Sequence, residues 1–275
     1  MSSETTQTGT ATVNMELKIG QHRLAARVSV PAGPTRLADV LPIVQRVADT
    51  IVDAGVQDAE AQGRCISCKK GCGACCRQLV PISEVEARRI GELVESMPEP
   101  RRSQVRARFA EARRQLDEAG LLEKLLARDA WDEDMFIEIG THYFRQGIAC
   151  PFLEDESCSI HVDRPITCRE YLVTSPAENC ACPTKDNIQK VETPVQVWTS
   201  LARFDMPDPT AKYIRWVPLV LAPEWAQANP DNSQPRPGPE LLRELFECLA
   251  GRKAPAAGAA PAEAREKARP SANPR

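Results

Sequence analysis

The chain has 275 residues, which corresponds to one large domain or two small ones. Hydrophobic residues make up 42% of it, enough for a packed core, and 35 basic against 38 acidic side chains give a formal net charge of −3. Because this balance gives no general attraction to polyanions, we expect neither nucleic-acid binding nor membrane adsorption. No apolar run approaches the roughly 20 residues of a membrane-spanning helix, and a secretion-signal pattern is absent, so we expect a cytoplasmic protein.

Residues 1–34 are expected to be an N-terminal extension with a β-hairpin. Alternating apolar residues at 11–19 and an apolar pattern at 24–30 predict two strands with a turn near 20–22. Residues 35–64 are expected to form a helix and a connection. Apolar residues on one helical face predict the helix near 40–54, with Asp39 as N-cap, Pro42 in the first turn and Gly55 at the C-terminal end.

The middle of the chain is predicted to be helical. The segment Ser83-Glu-Val-Glu86 has the form of a capping box and predicts a helix to about residue 97. Residues 101–128 are typical of one or two helices interrupted at Gly120, with a solvated charged face. A further helix is predicted at 133–146, and weaker helical patterns occupy 198–204 and 240–249.

We therefore predict an α+β fold that is mostly helical, with the N-terminal hairpin and short strands around a cysteine-rich metal centre. Residues 65–185 are expected to form the cysteine-cluster domain, and residues 186–251 a C-terminal helical part of the same globule. The Ala- and Pro-rich residues 252–275 contain nothing large and apolar to bury, which predicts a disordered tail.

Eleven cysteines are the most informative feature of the sequence. Ten of them fall into two groups, at 65–76 and 150–182, and Cys248 lies apart. In a reducing compartment such clustering favours metal binding or catalysis over a disulfide framework. Cys248 shares an apolar helical pattern with Leu242, Leu245 and Phe246, which predicts a core residue.

The first cysteine group combines closely spaced thiols with glycines and basic residues. Gaps of two or three residues let two thiolates bind one metal, as in zinc sites and iron–sulfur clusters. Gly71 and Gly73 are expected to permit the positive φ angles of such turns and to leave room near the metal. Cys75 and Cys76 are adjacent. Since neighbouring side chains diverge in extended backbone, the pair indicates two centres, or one ligand with a second thiol packed beneath it.

The second cysteine group is predicted to surround a hairpin. Residues 154–157 have the character of a turn between two short strands that each present a cysteine. Arg164 and Arg169 flank Cys168 and are expected to donate hydrogen bonds to sulfur or to an acidic neighbour. Because neither group is complete by itself, we expect the two groups to meet in space.

Four sequence blocks resemble those of the YkgJ-type cysteine-cluster proteins, which are described as zinc- or iron-chelating domains. The blocks are Cys68-x3-Cys72-x2-Cys75-Cys76-Arg77, Cys150-Pro-Phe-Leu153, Cys158-x-Ile160 and Arg164-Pro165-x2-Cys168-Arg169. The resemblance implies eight metal ligands: Cys68, Cys72, Cys75, Cys76, Cys150, Cys158, Cys168 and Cys180. The first gap is longer than in many relatives, and Cys65, Cys182 and His161 stay open as ligands.

Ligation by sulfur suits either an iron–sulfur cluster or zinc. The interpretation we favour is an iron–sulfur protein with a redox or group-transfer accessory role, acting with a protein partner. Two alternatives stay open, a structural-zinc protein that serves as an interaction module and a metal-handling protein. The sequence contains no recognisable nucleophile-and-base constellation, and flagellin lysine methylases carry a similar cluster on a larger body, so no reaction is predicted.

Overall fold

The computed structural model describes residues 9–19, 22–127, 131–184, 186–206, 208 and 211–250. In this part of the chain, helices predominate, and the strands form antiparallel pairs. The predicted α+β fold, mostly helical, is confirmed. The expected tail at 252–275 lies outside the described residues. No helix in the described ranges is both long enough and apolar enough to cross a bilayer.

The elements follow one another in a simple order. The helices are α1 (Leu37–Ala61), α2 (Glu84–Ser96), α3 (Arg101–Glu118), α4 (Leu122–Leu126), α5 (Glu133–Arg145), α6 (Ile166–Glu170), α7 (Val197–Phe204), α8 (Ala222–Ala228) and α9 (Gly238–Leu249). The strands are β1 (Thr10–Ile19), β2 (His22–Pro31), β3 (Pro34–Thr35), β4 (Pro81–Ile82), β5 (Leu153–Glu154), β6 (Ser157–Cys158), β7 (Val217–Pro218) and β8 (Arg236–Pro237).

The predicted N-terminal hairpin is confirmed. Strands β1 and β2 pair antiparallel from Thr10 opposite Pro31 to Ile19 opposite His22, while turn residues 20 and 21 lie outside the described residues. Further pairs join β3 to β8, β4 to β7 and β5 to β6. Since β3–β8 and β4–β7 connect segments far apart in sequence, they tie the C-terminal part of the chain to its beginning and middle.

Helix α1 differs from its prediction at both ends. It begins after Arg36, and the Asp39 carboxylate accepts a hydrogen bond from the Arg36 N–H at 2.9 Å, so the predicted N-cap is wrong. Pro42 consequently lies inside the helix rather than in its first turn. The helix continues past Gly55, where a Cβ would lie 2.8 Å from the Glu192 carbonyl oxygen. That glycine permits close packing and does not end the helix.

The other helix boundaries follow local signals. The capping box of α2 is confirmed, with the Ser83 hydroxyl accepting the Glu86 N–H and the Glu86 carboxylate accepting the Ser83 N–H. Helices α3 and α4 are separated at Gly120, whose φ is 65°. Asp132 caps α5 by accepting the Met135 N–H at 2.9 Å. Helices α6 and α8 were missed because each has seven residues or fewer, too short for a helical repeat to show.

Among the residues that the structure describes, three hydrophobic clusters form the core. One joins α1, α7 and α9, and a second joins the end of α3 to α4 and α5 around Trp131 and Trp216. The third contains α2, the start of α3, Phe152 and Ile160. Cys150 and Cys158 pack against this third cluster, which therefore lies beneath the second cysteine group.

A carboxylate links the end of α7 to the start of α2. Asp205 accepts a hydrogen bond from the Val85 N–H at 2.7 Å. Burial is the main cause that raises the pKa of Asp205 from 3.8 to about 6, with Glu84 and Asp231 acting in the same direction. The Val85 hydrogen bond and the Arg88 charge oppose the rise. When Asp205 is ionised, its burial therefore reduces the free energy of unfolding.

The pH dependence of stability should report this cost. Because the folded-state pKa of Asp205 exceeds its unfolded value, the wild type loses stability as pH rises from about 4 to about 6. The loss attributable to this group is about 2–3 kcal/mol. We expect Asp205→Asn to gain that amount relative to the wild type between pH 4 and pH 7, measured by urea unfolding. A difference between the two proteins that does not change with pH would contradict the buried-carboxylate assignment.

Candidate metal centre

The two cysteine groups are joined through the backbone. The Cys150 N–H donates to the Cys76 carbonyl oxygen at 2.7 Å. At the other end of the first group, Cys68 Sγ accepts the Val173 N–H at 3.4 Å, and the Ser67 N–H donates to the Val173 carbonyl oxygen at 3.0 Å. The prediction that the two groups meet in space is confirmed.

The adjacent cysteines lie in a 3₁₀ helix, Ala74–Arg77, which begins after Gly73. Their thiols interact: the hydrogen bond with Cys76, followed by burial, raises the pKa of Cys75. The 3₁₀ backbone of the pair differs from the extended backbone on which the expectation of divergent side chains depends. Cys76 is therefore placed beside Cys75, at the middle of the cysteine-rich region.

The two glycines of the first group have different roles. Gly71 has a φ of 85°, as predicted for a tight turn. Gly73 has a φ of −95°, so the positive φ predicted for it is wrong. A Cβ at position 73 would lie 2.7 Å from Leu153 Cδ1 and 2.5 Å from Glu156 Oε2. This glycine lets the β5–β6 hairpin lie directly against the cysteine turn.

The predicted hairpin of the second group is present, with φ angles of 47° at Asp155 and 54° at Glu156. Its strand β6 carries Cys158, but Cys150 precedes β5, so the prediction that each strand presents a cysteine is wrong. The Arg77 guanidinium donates to both Glu156 carboxylate oxygens, at 3.0 and 2.7 Å. This ion pair connects the hairpin to the first cysteine group.

Two arginines of α3 hold the hairpin from its other side. Arg101 and Arg108 donate to the Glu154 carboxylate at 3.2 and 2.5 Å, and Arg108 also donates to the Pro151 carbonyl oxygen at 3.3 Å. These contacts lower the pKa of Glu154, the hydrogen bond from Arg108 being the largest cause. The charged helix at 101–128 is therefore more than a solvated face, since two of its cations position the second cysteine group.

Cys168 lies on α6, whose position is set by carboxylates. The Glu86 side chain, only 2% exposed, accepts the Ile166 N–H at 2.7 Å and so caps α6. At the other end of α6, Glu170 accepts the Val197 N–H at 2.5 Å at the start of α7. Burial raises the pKa of both carboxyl groups, to about 7 for Glu170. The short helix is thus fixed by tertiary hydrogen bonds rather than by its own length.

Cys75 affects thiols of both groups. Burial is the largest cause of the raised pKa of five other predicted ligands, and the charge of Cys75 adds to it in every case. These five are Cys68, Cys150, Cys158, Cys168 and Cys180. Cys75 therefore lies within electrostatic reach of nearly the whole predicted ligand set.

The remaining thiol interactions divide into two sets that share Cys75. After burial, Cys68 and Cys72 contribute to the raised pKa of Cys180. In the same way, Cys150 and Cys158 contribute to the pKa of Cys168, which is raised well above its ordinary value. Burial also raises the pKa of Cys150 to about 12. Thiols with raised pKa keep their protons until a metal ion displaces them.

The sequence leaves three residues undecided as metal ligands, and they lie at the edge of the site. Cys65 and Cys182 are exposed, unlike the eight predicted ligands. His161 is also exposed, and Arg164, followed by burial and Arg169, lowers its pKa.

Cys248 donates to the Ser200 carbonyl oxygen at 3.5 Å between α9 and α7. Cys248 is only partly buried, so it lies beside the core rather than in it as predicted.

The donor chemistry fits zinc or iron. All eleven cysteines lie within the described residues and are free thiols. In the described part of the chain, no three Cys, His, Asp or Glu side chains are placed closely enough to hold a metal ion. The eight ligands thus stay a prediction, supported by donor type and by the proximity of the thiols.

A buried polar atom supports the same chemistry. Nε of Arg164 is buried without a hydrogen-bond partner among the described residues. The positive charge of Arg164 acts on Cys68, Cys75 and Cys158, where it opposes the rise in pKa. A cationic donor beside thiols, with an unused N–H, suits an anionic metal–sulfur centre.

Substitution of Gly73 should test whether the hairpin contact supports metal binding. In Gly73→Ala the added methyl group would meet Leu153 and Glu156. We expect a loss of about 1–3 kcal/mol in unfolding free energy, because the hairpin must move. We also expect a lower metal content per chain by elemental analysis. Gly140→Ala is the matched control, since a Cβ there has no atom within 4 Å. Full metal content in Gly73→Ala would contradict the prediction.

Comparison with known families agrees with the prediction of metal binding. No curated protein and no solved structure gave a significant match to the chain. Residues 67–193 match the family model CxxCxxCC, described as a "Putative zinc- or iron-chelating domain". The matched range contains the eight predicted ligands and the segments that bring them together. Residues 67–193 are therefore similar to a zinc- or iron-chelating domain, which supports metal binding by this part of the chain.

Proposed function

We propose that the metal-binding domain carries an iron–sulfur cluster and that the protein is a cytoplasmic redox or group-transfer accessory to a protein partner. The observation that carries the proposal is the arrangement of thiols in two sets around Cys75. A structural zinc site needs four ligands. The two sets contain seven thiols, which exceeds that number and suits a cluster with spare thiols or two centres.

Residues around the thiols have properties that an electron-transfer centre requires. When bound, the cluster would accept and release single electrons. Arg164 would donate its unused N–H toward sulfur, and its positive charge would favour the more negative, reduced state. Phe152 and Ile160 would exclude water from beneath, since both are buried in the third core cluster. Lys69 and Lys70 are exposed on the first cysteine group, where an acidic partner surface could dock.

Structural zinc is the second candidate. The observation in its favour is that the thiols lie where the two cysteine groups join, so that a zinc ion would hold the fold together. Metal handling is less well supported, because delivery needs accessible, labile thiolates. Seven of the eight predicted ligands are only partly exposed, and Cys180 is buried.

Purification without oxygen separates these candidates. We expect a brown protein with broad visible absorption, containing iron and acid-labile sulfide in similar amounts. Reduction with dithionite should bleach the absorption reversibly, because a cluster takes up an electron. A colourless protein with stoichiometric zinc would overturn the iron–sulfur proposal and support the structural-zinc candidate.

Single cysteine variants should rank the ligands. Cys75→Ser and Cys72→Ser are expected to lose stoichiometric metal, since a hydroxyl is a poor ligand for a thiophilic metal. Cys248→Ser is the matched control and should keep full metal content, because its thiol donates to the Ser200 backbone carbonyl between α9 and α7, apart from both cysteine groups. Cys65→Ser should fall between these limits. Equal metal loss from Cys248→Ser and Cys75→Ser would contradict the ligand assignment.

A further inference from the structure

An open cleft of about 400 Å³ lies between α1 and the segment that follows β6. One wall is formed by Val52 and Asp53 of α1, and the other by His161, Val162 and Arg164. The cleft is therefore next to the metal-binding thiols but opens on a different group of side chains. Arg164 belongs to both places, because it lines the cleft and its charge acts on Cys75.

One pair of charges in the cleft is structural. Arg169 is 7% exposed and donates to both carboxylate oxygens of Asp49, at 3.0 and 2.8 Å. Its Nε also donates to the Arg164 carbonyl oxygen at 2.9 Å. Asp49 and Arg169 thus satisfy each other and fix the backbone that carries Arg164.

Arg164 is left with unused binding capacity. No carboxylate of the described residues lies within ion-pair distance of the Arg164 guanidinium, so its positive charge is unpaired. Two acids line the opposite wall: Asp49 is occupied by Arg169, and Asp53 is exposed on α1. The lowered pKa of His161, caused mainly by the Arg164 charge, agrees with a positive potential on this wall. Guanidinium groups without an ion-pair partner recognise carboxylate and phosphate oxygens.

Apolar side chains accompany the positive wall. Val52 is 7% exposed and Leu172 is partly exposed, so both contribute an apolar lining. Val162 is 82% exposed at the cleft although it is a large apolar residue. An apolar lining and an exposed valine beside an unpaired arginine suit a ligand with an anionic group and a compact apolar body.

We infer that this cleft binds a small organic oxyanion, with its charged oxygens against Arg164 and its apolar body against Val52, Leu172 and Val162. The anionic group is a carboxylate or a phosphate ester, which share the chemistry that a guanidinium recognises. The site does not depend on which metal the thiols hold. Since Arg164 faces both the cleft and the thiols, a bound oxyanion would also reduce the positive charge beside the metal centre.

Calorimetric titration of the full-length, metal-containing protein tests the inference. The probes are phenylacetate, phenyl phosphate and uncharged benzyl alcohol. We expect saturable binding of at least one oxyanion probe and none of benzyl alcohol. Binding of phenylacetate alone would identify a carboxylate site, and binding of phenyl phosphate alone a phosphate-ester site. Absence of binding by both oxyanions, or equal binding of benzyl alcohol, would overturn the inference.

Variants locate the binding. Arg164→Gln should weaken binding of the oxyanion at least about tenfold, since a charged hydrogen bond contributes about 1.5–3 kcal/mol. Arg145→Gln is the matched control on the exposed end of α5 and should bind like the wild type. Metal analysis accompanies each titration. If Arg164→Gln loses metal, Val162→Asp decides: it places a carboxylate at the exposed cleft wall, at a residue that is not a predicted ligand, and should also weaken binding. Wild-type affinity in Val162→Asp would overturn the inference.

Discussion

The contact between Cys76 and Cys150 is the constraint on which the rest of this structure depends. The backbone hydrogen bond between them joins two cysteine groups that are separated along the chain by helices α2 to α5. Gly73 makes the contact sterically possible, because any side chain there would displace the β5–β6 hairpin. Helices α2 to α5 therefore bring the second cysteine group back into contact with the first.

Carboxylates provide much of the connection between helices around the site. Asp205 accepts the N–H group of Val85 in the first turn of α2, and Glu86 in turn caps α6. Glu170 then caps the start of α7. Each of these acids satisfies a helix N-terminus other than its own, where the unpaired N–H groups favour negative charge. The cysteine on α6 is thus held by a chain of polar contacts that links three helices.

The parts of the fold that could be predicted are those with local signals. Long helices repeat their apolar pattern over several turns, so their positions can be predicted. The capping box at Ser83 and the break at Gly120 depend only on residues close to them in sequence. The errors arose where tertiary contacts decide. The local sequence around Gly55 is typical of a helix end. The structure instead requires glycine there because the Glu192 carbonyl oxygen approaches the helix closely. Helix α6 has five residues and a cap supplied from 80 positions away, so no local pattern predicts it.

In the candidate site too, some features have local sequence signals and others depend on tertiary contacts. Spacing and family resemblance are sufficient to nominate the ligands, because the thiols occur in short motifs. The pairing of Arg169 with Asp49, which leaves Arg164 unpaired, depends on α1 lying against the loop, and no motif contains it. The cleft is consequently visible in the structure and not in the sequence.

The ion pair between Arg77 and Glu156 has a consequence for how the domain folds. It joins residues 79 positions apart. Closing a flexible loop of that length costs about 4 kcal/mol of chain entropy, whereas a partly exposed ion pair contributes about 1 kcal/mol at most. Packed helices must therefore supply the difference, unless thiols of both groups share a metal. Shared ligation would act as a reversible cross-link, and the supply of metal would then determine what fraction of the molecules is fully folded.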